Sequence, residues 1–202
     1  MFRAKMISGL VLAACATAVA QADFSADIVN LSATSNTFHT KIYSAKDKLR
    51  FQGEDREGRP NSIMIVDLAK KSSIVLIPQQ KQYVESTKAQ IPGQAVTFFQ
   101  AKDVEDACGD WKAAAHAENG KCKKIGHEDV HGRDAVRYEL AGKGGSSKVW
   151  IDAKLHFPVK WQSSAGGSEL HNIKEGTQPS ELFEIPSGYS KRTLQTSAKK
   201  KP

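Results

Sequence analysis

Residues Gly126 to Asp134, GHEDVHGRD, contain the spacing H-E-x-x-H. On a helix, that spacing puts two imidazoles one turn apart, so that both reach a zinc ion at about 2.0 Å while the glutamate serves as general base. His127, Glu128 and His131 thus have the residue types of a zinc hydrolase. No other catalytic pattern competes with them. There is no G-x-S-x-G elbow and no glycine-rich phosphate loop, and His39, His156 and His171 are scattered one per segment.

The neighbouring residues do not favour the helix that this chemistry needs. Gly126 and Gly132 flank the motif, and Val136, Tyr138 and Leu140 alternate with Arg137 and Glu139 at the period of a strand. His131-Gly132-Arg133-Asp134 reads as a hairpin turn. On a strand, His127 and His131 stand four rises apart, roughly 13 Å, too far to share an ion. The expectation is two surface histidines at a hairpin end, with no catalytic residue, no metal, no cofactor and no enzyme activity.

The elements around the motif are mostly short β-type segments. FSADIVNLSA, FHTKIYSA, DKLRFQG, SIMIVDL, SSIVLIP and KQYVES follow one another at hairpin spacing, separated by GEDREGRPN and AKKS. Ile63 to Val66 and Ile74 to Ile77 are apolar at successive positions, so both faces of those strands need cover. Leu49 and Phe51 alternate with Lys48, Arg50 and Gln52, as expected of a strand with one wet face. Then Val104, Cys108, Trp111 and Ala115 recur at helical spacing, with Asp103 as N-cap and Gly120 as C-cap. KKIGHEDV, DAVRYELAG, SSKVWIDA, FPVKWQSS, SELHNIKEG and a closing LFEIPSGY return to strand. The fold class is mainly β (α+β), a large antiparallel sheet curled around a short helical insertion.

Both ends differ from this body. Arg3 and Lys5 precede an apolar stretch that ends in Ala20-Gln21-Ala22, which reads residues 1–22 as a secretory signal peptide and the protein as periplasmic. Leu12-Ala13-Ala14-Cys15 also fits a lipobox, which would leave the protein lipid-anchored at Cys15. The 202-residue chain has 29 basic and 22 acidic residues. Without Arg3 and Lys5, and without Lys191, Arg192, Lys199, Lys200 and Lys201, the basic count equals the 22 acidic residues. Residues 23–190 therefore form one nearly neutral domain, and 191–202 a basic tail expected to be disordered or to meet an anionic membrane surface. A body without basic excess excludes nucleic acid as a partner. Cys108 and Cys122 remain after processing and are expected to pair as a disulfide in an oxidising compartment.

KIYSAKDKLRFQG, SIMIVDLAKKSSIVLIPQQKQYVE, KVWIDAKLHFPVKWQSS and LFEIPSGYSK together resemble the LolA/LolB-type lipoprotein-carrier fold, and most closely the small exported, outer-membrane-lipoprotein-sorting-like families of unknown function. The resemblance covers most of the chain after residue 22. It rests on a W-I-D strand, a turn, a P-V-K-W strand and a closing F-x-I-P-x-G-Y. It implies a half-open antiparallel β-barrel with a helical lid, whose concave face holds a lipid or a lipoprotein acyl chain. Leu49, Phe51, Ile63, Ile65, Leu76, Tyr83, Trp150 and Trp161 are the candidate lining residues. Three functions follow in order: a non-enzymatic envelope protein that binds a hydrophobic ligand, a structural or sensory interaction module with a filled barrel, and a zinc hydrolase through His127, Glu128 and His131.

Overall fold

The computed structural model describes residues 23–31, 39–86, 98–142 and 145–193. The signal-peptide and Cys15 readings, and the tail beyond residue 193, lie outside the described residues.

Of the twelve strands among the described residues, eleven fall where hydrophobic alternation places them. β1 (Phe24–Asn30), β2 (His39–Ala45), β3 (Lys48–Glu54), β4 (Pro60–Asp67), β5 (Ser72–Ile77) and β6 (Gln82–Ser86) form one antiparallel meander. β7 (Lys121–Val130), β8 (Arg133–Gly142), β9 (Gly145–Asp152), β10 (Pro158–Ser163) and β11 (Gly166–Glu175) form a second. The twelfth strand, β12, is the pair Ser190–Lys191. β1 pairs with β11 and joins the two meanders into one open sheet of order β12-β6-β5-β4-β3-β2-β1-β11-β10-β9-β8-β7. The ends do not meet, so the sheet is mainly β and half-open, as expected.

One face, here called inner, carries residues 98–117, the described part of the crossing segment that packs on the sheet. Cross-strand partners share a face, and the register puts Phe24, Ala26, Ile42, Leu49, Val66 and Leu170 together on the inner side. Phe98, Leu155 and Phe157 join that core, whose contacts run on to Val130, Ala135, Trp150 and Val159. A second cluster packs Ala107 and Trp111 of the crossing segment against Val136, Tyr138, Leu140, Val149 and Ile151.

The helix within this segment, α1 (Cys108–Ala114), is shorter than its sequence pattern. Asp103 does not cap it. Its carboxylate instead accepts the Glu105 N–H at 2.8 Å and holds a local turn. Tyr138 then fixes the chain before the helix, its hydroxyl accepting from Ala107 N–H at 3.2 Å and donating to Val104 C=O at 2.7 Å. At the other end His116 takes φ 49°, which stops propagation before Gly120. Cys108 and Cys122 form the expected disulfide, with Cα atoms 5.7 Å apart, and tie α1 to β7.

The chain's C-terminal side also departs from the expected closing strand. Residues 182–189 are not a strand. A 3-10 turn over Ser180–Phe183 leads into an irregular stretch, and only β12 pairs with β6, in parallel. Pro179 and Pro186 lack the N–H groups that a ladder would use. The stretch works as a cover: Phe183, Leu182, Ile185 and Tyr189 pack on Ile63, Ile65 and Leu76 of the outer face. On β4 this cover closes the outer face, while on the inner face Val66 is buried and Met64 half-buried. The same cover reaches β3, so Arg50 is buried rather than wet, and its guanidinium donates to Leu182 C=O at 2.8 Å and Gln52 Oε1 at 2.7 Å. Lys191 and Arg192, counted with the tail by composition, are engaged: Lys191 pairs with Glu85, and Arg192 N–H donates to Tyr83 C=O at 2.8 Å.

Two stability predictions follow from these ties. Replacing both cysteines with serine is expected to cost about 3 kcal/mol, since the bridge closes a loop of 14-residue separation, measured as a shift in the urea midpoint. Phe183→Ala is expected to cost about 3–5 kcal/mol by emptying the cover over β4 and β5; a midpoint unchanged from wild type would show that the C-terminal stretch is dispensable.

Candidate functional site

The β7–β8 hairpin settles the geometry of H-E-x-x-H. His131 and Gly132 take φ 54° and 78°, the two positive values of a type I′ hairpin turn, while Arg133 and Asp134 already belong to β8. Gly126, φ 148°, sits at a bulge in β7 opposite Arg137. The motif is thus strand and turn, not helix, and its three residues diverge. His127, paired across from Val136 on the inner side, lies between Asp134, 2.8 Å from Nδ1, and Glu105, 3.0 Å from Nε2. Glu128 points to the other face and accepts from Trp150 Nε1 at 2.6 Å and Arg137 at 2.7 Å. His131 reaches over to β11, where its Nε2 lies 3.2 Å from Glu169 Oε1. The geometry of a zinc protease is not formed by these three.

On the outer face, β7 to β11 instead form a polar surface. Arg137 and Lys160 flank the Trp150 ring at 5.4 and 5.3 Å from its centroid. Lys160 Nζ is 3.4 Å from Glu169 Oε2, and His171 Nε2 is 2.8 Å from Glu169 Oε1. Burial pushes the Glu169 carboxyl up, but its contacts with His171, His131 and Lys160 outweigh this and bring it below the usual value. Glu128 is also lowered, by the Trp150 and Arg137 hydrogen bonds.

The W-I-D and P-V-K-W motifs also have physical roles. Asp152, almost fully buried at the end of β9, accepts from Leu155 N–H at 2.7 Å and Lys154 N–H at 2.9 Å and so shapes the turn into β10. Arg133 donates to the same carboxylate and to Glu175, 3.0 Å away, which links three strands at that end.

The eight apolar candidates divide between the two faces. Leu49, Phe51 and Trp161 are on the inner side, Phe51 and Trp161 against Phe98 with ring centroids at 5.1 and 4.5 Å. Ile63, Ile65, Leu76 and Tyr83 are on the outer side under residues 182–189. Trp150 faces the outer side but is buried, in the same apolar cluster as Val130 and Ala135, with its indole N–H on Glu128 and Lys160 against its ring. The clefts of 510, 520 and 610 Å³ take their walls from other, largely polar residues such as His116 and Asn119, Lys46 and Asp67, or Asp27 and Lys41. Sequence reasoning passed over three residues that matter: Phe98, and Glu169 and His171. The i, i+2 spacing of the last two on a strand was the available sign that they share a face.

No protein-family model matches the chain, and no curated protein sequence matches it either. Among solved structures it is similar to an uncharacterized conserved protein from Thermus thermophilus, with a TM-score of 0.51 at 10% identity over 86% of this chain and 93% of that one. PNGF-II matches with a TM-score of 0.53 at 10% identity over 85% of this chain, which spans only 31% of PNGF-II. A LolA superfamily protein, NE2245 from Nitrosomonas europaea, also matches, at 12% identity over 81% of this chain and 89% of that one, with a TM-score of 0.32. The first two likenesses show the fold alone, and the last is too distant to carry an argument.

His127 supplies a pH prediction. Its hydrogen bond and charge interaction with Asp134, aided by Glu105, raise its pKa above 6.5. The stability it adds is therefore fully present below 6.5 and is lost as pH rises through the higher folded value. Nuclear magnetic resonance titration is expected to place the His127 Hε1 midpoint above 6.5, and Asp134→Asn to bring it down; a midpoint that ignores Asp134→Asn would remove the pair.

Proposed function

We propose that this is an exported envelope protein that binds a hydrophobic ligand, a lipid or a lipoprotein acyl chain, on the inner face of the sheet and performs no catalysis. The observation that carries the reading is a row of apolar side chains in cross-strand register: Phe51 opposite Met64, Met64 opposite Val75, and Val75 opposite Val84. It crosses β3 to β6, three inter-strand gaps or roughly 14 Å. Val75 is 38% exposed, and Met64 and Val84 are half-buried. An apolar row left partly open to water gains about 0.8 kcal/mol for each ligand methylene it removes from water. Phe98, Phe51 and Trp161 form its closed end. Of the eight candidates, the proposed ligand contacts are accordingly Phe51 and Trp161, joined by Met64, Val75 and Val84, with Leu49 buried behind them.

The signal-type N-terminus supports a periplasmic location, and Cys15 lipidation is the alternative; the basic tail supports a peripheral contact with anionic membrane. The interaction-module reading has one observation in its favour, that Phe98 fills part of the inner face. Docking by strand addition on β7 is disfavoured, because that edge carries Lys121, Lys123 and Lys124 and a bulge after Lys124.

Purified protein is expected to yield lipid on solvent extraction and mass spectrometry and to enhance the fluorescence of an apolar naphthylamine probe. Val75→Glu should weaken probe binding several-fold, whereas Ile125→Glu, equally exposed but on β7, should not. A protein that neither retains lipid nor binds the probe would overturn the reading in favour of the filled module.

A further inference from the structure

We propose that His131, His171 and Glu169 form a binding site for a divalent transition-metal ion of the zinc class on the outer face of the sheet, with at least one coordination position left open. The site is independent of the apolar row and of the H-E-x-x-H reading, because it uses only one residue of that motif and takes the other two from β11.

The geometry is that of ligands gathered at one point. His171 Nε2 is 2.8 Å and His131 Nε2 is 3.2 Å from the same oxygen, Glu169 Oε1, and the three atoms lie within 4.8 Å of one another. Ligands at about 2.0–2.1 Å from a tetrahedral ion stand roughly 3.3 Å apart, so small side-chain movements admit the ion. Without a metal, each imidazole turns its Nε2 towards the carboxylate. With one, each imidazole binds through its Nε2 lone pair and carries its remaining N–H on Nδ1, and any proton beyond that is released to solvent. Two imidazoles and one carboxylate are the donor set that suits zinc, copper or nickel and leaves alkaline-earth ions poorly served.

Several features hold the donors in place. Glu169 is nearly buried, with Oε2 facing Lys160, so its Oε1 is left to the two histidines. The His131 and His171 rings lie 4.4 Å apart at 51°. His131 owes its reach to the type I′ turn, which projects it from β7–β8 towards β11. Next to His171, Asn172 takes φ 52° where the β1–β11 register shifts. The Lys160 ammonium, 3.4 Å from Glu169 Oε2, lowers affinity for a cation, which argues for a modest site that keeps an exchangeable ligand. The disulfide removes Cys108 and Cys122 from competition.

The test is equilibrium dialysis and calorimetry of tag-free, chelator-treated full chain with zinc chloride. About one ion per chain is expected, with affinity reduced at least about tenfold by His171→Gln, by Glu169→Gln and by His131→Asn. Asparagine tolerates positive φ and so keeps the hairpin turn at position 131; circular dichroism of each variant checks the fold. His127→Ala is expected to bind as wild type does, and on titration with zinc the ring protons of His131 and His171 should shift together. Absence of stoichiometric zinc overturns the proposal. So does binding that His127→Ala abolishes, or binding that survives all three of the other substitutions.

Discussion

The architecture depends on a chain of aromatic contacts at the seam between the two meanders. Phe24 of β1 meets Phe157 edge-on at 5.2 Å, Phe157 stacks on Phe98 at 5.5 Å, and Phe98 reaches Phe51 of β3 and Trp161 of β10. One residue from the crossing segment thus touches both meanders. Edge and stacked pairs add about 0.5–1.5 kcal/mol each beyond the area they bury. Hydrogen bonding between β1 and β11 alone makes the sheet continuous, but it does not set its curvature. The ring set holds β3 and β10 against one residue, Phe98, and the β4–β6 side of the same face is less filled.

That asymmetry explains how one sheet can present two kinds of surface. On the inner side the β7–β9 end is closed by α1, the disulfide and Tyr138, whose hydroxyl bridges Val104 and Ala107. The β4–β6 end has an apolar row with Val75 open. On the outer side the arrangement is reversed: residues 182–189 close β4 and β5, and β7 to β11 carry Glu128, Arg137, Lys160, Glu169 and the two histidines. Every strand therefore needs cover on one face at least, and the cover comes from non-strand chain in both cases.

Strand positions were legible because alternation is a local property, and ten-residue strands such as β7 and β8 repeat it often enough to be read. The hairpin at His131-Gly132 was legible for the same reason, since both residues must accept positive φ. What escaped was set by distant partners. The polar residues of β3 looked wet, yet Arg50 lies under Leu182, 132 positions away. Asp103 had the form of a helix cap but serves a turn, because Tyr138 holds the next residues in another path. The eight apolar candidates were chosen by residue type, and type does not reveal face: Ile63 and Ile65 turn away from Met64, which lies between them.

The histidines show the same principle at a finer scale. Sequence proximity suggested His127 with His131, four residues apart, whereas the fold sends them to opposite partners and brings His131 to His171, forty residues away in the chain. On a helix, i and i+4 converge; on a strand that ends in a turn, i and i+4 are separated by the length of the ladder and by the change of direction. The residues able to meet across an antiparallel sheet are those that the register and the turn bring to one face. A carboxylate fixed on β11 between two imidazoles is such a meeting. It arises because a type I′ turn gives position 131 a direction that no regular strand residue has.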